Sequence, residues 1–258
     1  MGVIKKQAIQ GTIYSYLGVL VGFVTTLLIY PKIFSEEQIG LIRILVAYSA
    51  LFAQFATLGF PRVTTMMFTY FRNYEKKHHG FFHIAVLVSL AGLILSLIFL
   101  LSLQPYILGK GEEKSLLFSE YFYFIIPLLI ASLFFIVFDN YYKVLFNAVR
   151  GTFLKEFLQR ILILINTLLY LFNLIDFKSF IVLFVISFLL PTLIMMGLLM
   201  RDKQFSLKPD YAFLDKALRK KMINVSFFGI LTSFSGILVL NIDSIMINEF
   251  LDLGSTGI

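Results

Sequence analysis

The chain has 258 residues, of which 59% are apolar and only 14% charged, against about 45–50% and about 25% in soluble domains. A mean hydropathy of +0.89 excludes a water-soluble globule, because so much apolar surface needs lipid as its solvent. Cysteine is absent, which excludes disulfide frameworks, thiolate metal sites and cysteine nucleophiles; with no tryptophan either, Tyr and Phe must supply any interfacial belt.

Apolar runs, each near the ~20 residues that cross a bilayer core, predict seven helical spans at 8–30, 40–61, 81–103, 117–146, 154–175, 179–200 and 222–250. The fold class expected is therefore an all-α integral membrane protein. The first span is too long for a secretion signal and lacks a small-residue cleavage site, so it reads as a retained anchor. Pro31 and Pro61 are expected to end spans one and two, and Pro105 and Pro209 to lie in loops. Pro127 and Pro191 fall inside spans four and six, where each frees a carbonyl and predicts a kink. Between spans six and seven, Tyr211, Leu214 and Leu218 recur at helical spacing opposite Lys216, Arg219 and Lys220. That segment, 201–221, reads as an interfacial amphipathic helix or as a solvated connector.

The net charge of +7 is a topology signal. With the N-terminus inside, seventeen Lys and Arg fall on the inner side and four on the outer, Arg43 lying within a span. Basic loops stay cytoplasmic, so the expected orientation is N-terminus in. Nucleic acid is not an expected partner, since no basic helix stands apart from the membrane flanks.

Three spans carry small or polar stripes. Arg43, Ala47, Ala50, Gln54 and Thr57 share one face of span two. Gly11, Ser15, Gly18, Gly22, Thr25 and Thr26 share a face of span one; Ser226, Gly229, Thr232, Ser233, Gly236, Asp243 and Ser244 share one of span seven. Lipid gives such residues nothing, so these faces meet protein or water. In spans one and seven, tight helix packing and a cavity are both open readings. Gln and Arg in span two are costly in hydrocarbon: a central Arg costs about 2.5–3.5 kcal/mol on insertion scales. Arg43 either snorkels to the outer headgroups or faces an anionic substrate or gating partner.

Asp139 and Lys143, spaced i, i+4, predict a local ion pair. His78, His79 and His83 lack a carboxylate partner at ligand spacing and read as a headgroup-level segment rather than a metal site. No metal or cofactor is expected. Nucleophile elbows, phosphate-binding loops and zinc-protease helices have no sequence match, so no enzyme is expected.

The run Pro31-Lys-Ile-Phe-Ser-Glu-Glu-Gln-Ile-Gly40, followed by span two and its ending Leu58-Gly59-Phe60-Pro61, resembles the opening of bacterial polysaccharide flippases of the O-antigen type. Asn241-Ile-Asp-Ser-Ile-Met-Ile247 and Leu253-Gly-Ser-Thr-Gly-Ile258 resemble their seventh helix and the loop after it. The resemblance runs over nearly the whole chain, on short and degenerate motifs. It implies membership of the multidrug/oligosaccharidyl-lipid/polysaccharide exporter superfamily. Members have two six-helix lobes around a central cavity and move a polyprenyl-pyrophosphate-linked oligosaccharide from the inner to the outer leaflet by alternating access. On that basis residues 1–200 are expected to form the N-terminal lobe, 201–221 a cytoplasmic amphipathic linker and 222–258 the first helix of a truncated second lobe. Gly18-Val-Leu-Val21 and Gly236-Ile-Leu-Val239, at matching places in spans one and seven, support an internal repeat.

The expected roles follow. Arg43 attracts the phosphate; Gln54, Thr57, Thr25 and Thr232 bond sugar hydroxyls; Arg43 and Asp243 either pair across the lobes as an outer gate or stay within their own lobes. The expected partners are a lipid-linked oligosaccharide, membrane lipids and the missing C-terminal half; a coupling H⁺ or Na⁺ is left open. The expected location is the bacterial inner membrane. The alternatives are a cation-coupled multidrug exporter, disfavoured by the lack of acids in spans one and two, and a membrane-embedded polysaccharide polymerase, disfavoured by short outer loops.

Overall fold

The computed structural model describes residues 2–108, 116–203, 206, 210 and 213–250. Among these, every regular element is helical.

Helix α1 (Val3–Phe23) passes through a π-helical stretch, Val24–Ile29, into α2 (Tyr30–Ile33). A capping box then starts α3 (Glu36–Ala56). The Ser35 hydroxyl accepts from the Gln38 N–H at 3.2 Å, and the Gln38 side chain accepts from the Ser35 N–H at 3.1 Å. Glu36 and Glu37 sit in the first turn, where the helix dipole favours acids.

The end of α3 departs from expectation. The chain breaks at Leu58 and Gly59, both left-handed with φ 48° and 70°, and resumes as α4 (Phe60–Phe71). Pro61 therefore starts a helix rather than ending one, since a first-turn residue needs no N–H donor. A second left-handed turn, Lys77–Gly80, leads into α5 (Phe81–Ile107). Pro105 lies inside α5, not in a loop.

The next helices are α6 (Leu116–Tyr121) and α7 (Ile125–Val144), joined by a tightened turn, Phe122–Phe124, just before Pro127. Then α8 (Ala148–Thr152), a π-helical Phe153–Leu158 and α9 (Gln159–Leu171) run on without a gap. Asp176 caps α10 (Phe177–Asp202) by accepting from the Ser179 N–H, and α10 continues through Pro191.

Helix α11 (Lys216–Phe250) has 35 residues. It takes in Lys216–Lys221, so this part of the 201–221 segment is the start of a long helix and not a separate interfacial one. Leu214 and Leu218 pack on the core; Tyr211 lies outside the described residues.

Among the described residues, five segments are long and apolar enough to cross a membrane: Lys5–Ile33, Glu36–Ala56, Lys77–Ile107, Leu116–Val144 and Phe177–Asp202. The chain is thus an all-α, multi-pass membrane protein. The predicted fifth span is helical but carries Lys155, Glu156 and Arg160 in its first half.

Helix α7 sits centrally, between α3 and α10. Beyond α10 lies α9; α1 packs on α8, α9 and the π-helical stretch between them; α5 and α11 pack on α3. Hydroxyls and amides join helices where aliphatic contacts gain nothing over lipid. Ser96 donates to the Phe52 carbonyl, Thr192 to that of Ala131, both at 2.9 Å, and the Asn166 amide to Ser187 at 2.8 Å. Outward faces such as Ile94, Leu95 and Ile98 of α5 are exposed and apolar, as a lipid boundary requires.

Candidate functional site

The stripe on α1 divides into two parts with different roles. In the first part, Gly11, Thr12 and Ser15 face a groove of about 730 Å³. Its other wall is the end of α7, the turn after it and α8, with Lys143, Phe146 and Thr152. The wall is set by a helix-ending motif. Phe146 is left-handed at φ 61°, and the Phe146 and Asn147 N–H groups bond back to the carbonyls of Lys143 and Tyr142. The Gln7 amide donates to the Phe146 carbonyl and ties α1 to that turn.

Lys143 reaches this groove already paired to Asp139 at 2.6 Å, the local ion pair the spacing predicts. The other Asp139 oxygen is buried and has no hydrogen-bond partner among the described residues. It lies so close to Gly151 that any Cβ there would collide with it.

The second part of the α1 stripe is a packing surface. A Cβ on Gly18 would lie 1.8 Å from the Glu156 carbonyl, and one on Gly22 3.0 Å from the Arg160 guanidinium. Arg160 donates to the Gly18 carbonyl at 2.9 Å and to the Glu156 carboxylate at 2.8 Å. The sequence counts Arg160 among the inner-side charges, within the predicted span 154–175; the i, i+4 spacing of Glu156 and Arg160 is the signal for their local pairing.

The span-two residues stay on α3. Arg43 is exposed and Gln54 half-buried, while Thr57 is fully buried. The Thr57 hydroxyl donates to the Gln54 carbonyl at 2.7 Å and accepts from the Gly59 N–H at 3.3 Å, so it holds the turn. Thr25, buried in the π-helical stretch, donates to the Val21 carbonyl at 2.8 Å. Thr232 is exposed and donates to the Phe228 carbonyl at 2.8 Å. The Asp243 side chain, and with it the proposed pairing to Arg43, lies outside the described residues. The α1 groove takes in none of Arg43, Gln54, Thr57, Thr25 and Thr232. On span seven, Ser226 and Gly229 pack on Leu58 and Gly59.

Two polar clamps tie the ends of helices near Lys143 and Arg72. Arg150 pairs with Asp202, and the Tyr142 hydroxyl donates to the same Asp202 oxygen at 3.2 Å while accepting from Arg150 at 3.0 Å. His79 bonds Asp210 at 2.9 Å and stacks on Phe213 at 3.9 Å. That bond, with the Phe213 N–H, holds the Asp210 carboxyl below its ordinary range. His79 thus serves the connection between α10 and α11. Among the described residues no group of His, Asp and Glu is arranged to hold a metal ion.

The α1 groove is lined mainly by apolar groups, with the Thr12, Ser15 and Thr152 hydroxyls, the Gln7 amide bonded to Phe146 and the Lys143 ammonium paired to Asp139 among them. It offers no nucleophile beside a base. Fold and groove together define the class: a helical multi-pass membrane protein with a recess beside its first helix. Compared with protein-family models, curated proteins and solved structures, the chain matches none.

Proposed function

We propose that the chain forms the N-terminal six-helix lobe, and the first helix of a second lobe, of a bacterial inner-membrane flippase. Its cargo is a polyprenyl-pyrophosphate-linked oligosaccharide for surface polysaccharide. The lobe consists of α1–α2, α3–α4, α5, α6–α7, α8–α9 and α10, with α11 beginning the next. The excess of Lys and Arg at the Lys5, Arg72, Lys143 and Arg150 end supports a cytoplasmic position for that end.

A pyrophosphate cannot enter hydrocarbon, while its polyprenyl tail prefers it. The protein must therefore offer a wet polar recess within reach of lipid. The observation that carries this reading is the recess beside α1, where Thr12, Ser15, Thr152 and Lys143 interrupt a lining otherwise made by Tyr16, Val19, Phe146 and Val149. Arg43, exposed on α3, and the half-buried Gln54 add a cation and an amide. The reading requires a second lobe to close over α1 and α11. No covalent chemistry is needed; opening to one side and then the other moves the headgroup.

The experiment is reconstitution of the complete gene product in vesicles with a fluorescent polyprenyl-pyrophosphate oligosaccharide in one leaflet. The reading expects protein-dependent appearance of the sugar in the other leaflet, as read by a membrane-impermeant quencher. Labelled sugar that stays in its leaflet contradicts it.

One observation favours a second reading, a cation-coupled multidrug exporter: the buried, unbonded oxygen of Asp139. That reading expects ion-driven dye efflux, lost in Asp139→Asn, and no movement of the lipid-linked sugar.

A further inference from the structure

A second groove, of about 640 Å³, lies between α5 and α11 on the far side of the Gly59 break. Leu58 and Phe60 form its floor, Ile84 and Leu87 of α5 one wall, Met222 and Phe227 of α11 the other. It reaches along α11 from Arg219 to Ile230, about 16 Å at 1.5 Å per residue. Its size falls in the ~300–1,000 Å³ range of small-ligand sites. The polar exceptions are placed unevenly: His83 and Arg219 stand at the end nearest Lys216, and Ser226 is turned to the Leu58 carbonyl.

The geometry points to a binding site for an anionic membrane phospholipid, with an acyl chain along the α5–α11 groove and its phosphate at Arg219. Three features select this occupant. The walls are aliphatic and aromatic and belong to membrane-depth helices, so the interior suits a hydrocarbon chain. The cation stands at the end of the groove where α11 carries Lys216, Lys220 and Lys221, at headgroup level. Arg219 is held there, since its Nε donates to the Leu214 carbonyl at 2.9 Å. That bond leaves the planar terminal amino groups for a phosphate, which Arg recognises in a forked geometry. Lys221 is turned away toward the Tyr70 hydroxyl at 3.0 Å. The site is separate from the recess beside α1 and does not depend on the transport reading.

The test uses the purified chain in detergent, with phosphatidylglycerol and phosphatidylcholine of identical acyl chains, and reads retained lipid by native mass spectrometry. The site predicts retention of phosphatidylglycerol over phosphatidylcholine by about fivefold, the worth of one basic side chain beside anionic lipid. Arg219→Gln, at an exposed position, keeps the helical content and melting temperature and loses the preference. Lys216→Gln, on the same turn but outside the groove, keeps it. Ile223→Trp, which fills the groove, lowers retention of both lipids. Equal retention by the unaltered chain overturns the assignment, as does an equal loss in Lys216→Gln. So does displacement of phosphatidylglycerol by polyprenyl phosphate, or a photo-crosslinker at position 223 that captures polypeptide instead of lipid.

Discussion

Gly59 and Gly229 meet backbone to backbone. A Cβ on Gly59 would lie 2.2 Å from the Ser226 carbonyl oxygen, and one on Gly229 would lie 2.4 Å from the Gly59 carbonyl oxygen. The contact sits where α3 gives way to α4, and the Ser226 hydroxyl donates to the Leu58 carbonyl beside it. Close approach of two glycines is how membrane helices gain van der Waals contact without a hydrophobic drive. Here it fixes α11 against the break between α3 and α4.

Gly59→Ala is expected to be the more damaging of the pair. It adds the collision to left-handed strain of roughly 1–2 kcal/mol, since Gly59 has φ 70°. Gly229→Ala adds the collision alone and separates α11 from α4. Thermal unfolding in detergent should rank Gly59→Ala below Gly229→Ala, and both below the unaltered chain. Equal melting temperatures for all three contradict the contact.

The two parts of the α1 stripe give an internal control. Gly18→Ala collides with the Glu156 backbone, while a Cβ at Gly11 meets nothing within 4 Å. Gly18→Ala should cost about 1–3 kcal/mol, the usual price of overpacking, and Gly11→Ala nothing beyond a few tenths. Unfolding of the two variants side by side reads the difference.

The clamp of Arg150, Tyr142 and Asp202 is partly buried, with Arg150 31% and Asp202 21% exposed. Arg150→Ala is expected to cost about 1.5–3 kcal/mol, as for hydrogen bonds to charged groups. Tyr142→Phe should cost less, since Arg150 and Asp202 still meet. A double-mutant cycle of Arg150→Ala with Asp202→Ala should show coupling. Strict additivity would place the two residues out of contact.

The His79–Asp210 clamp predicts a pH dependence. The Asp210 carboxyl is held below its ordinary value by the His79 ring. Its contribution is therefore full above the unfolded carboxylate value, about pH 4, and is lost as pH falls through the lower folded value. Phe213→Trp supplies a sole tryptophan stacked on His79, whose fluorescence should change as the connection lifts below about pH 4. In His79→Ala the same signal should appear already at neutral pH.

Hydropathy alone made the membrane class and the approximate helices legible, because a 20-residue apolar run has few other uses. The ends were less so. Pro61 looked like a terminator because proline breaks helices, yet the left-handed turn at Leu58–Gly59 makes the break and proline fits the next first turn. Pro105 looked like a loop residue for the same reason, yet it lies in the last turn of α5, where the Leu108 N–H still bonds the Gln104 carbonyl. The stripe on α1 was visible, but its division was not, since Gly11 and Gly18 differ only in what the chain places opposite them. His79 looked like one of three spare histidines because its partner, Asp210, stands 131 residues away. Local ion pairs such as Asp139–Lys143 were legible for the opposite reason: both partners lie on one helix face.

The account rests on polar faces that water and a lipid-linked phosphate can reach. The chain has no cysteine, so single cysteines can be introduced at Ser15 on the recess, at Ala50 and Gln54 on α3, and at Ile94 as a lipid-facing reference. The measurement is labelling of the complete protein in membranes by a membrane-impermeant thiol reagent, with and without polyprenyl-pyrophosphate oligosaccharide. The account predicts rapid labelling at positions 15, 50 and 54, slowed by the lipid-linked sugar, and none at 94. Positions 15, 50 and 54 as inert as 94, or labelled at a rate the sugar leaves unchanged, would contradict it.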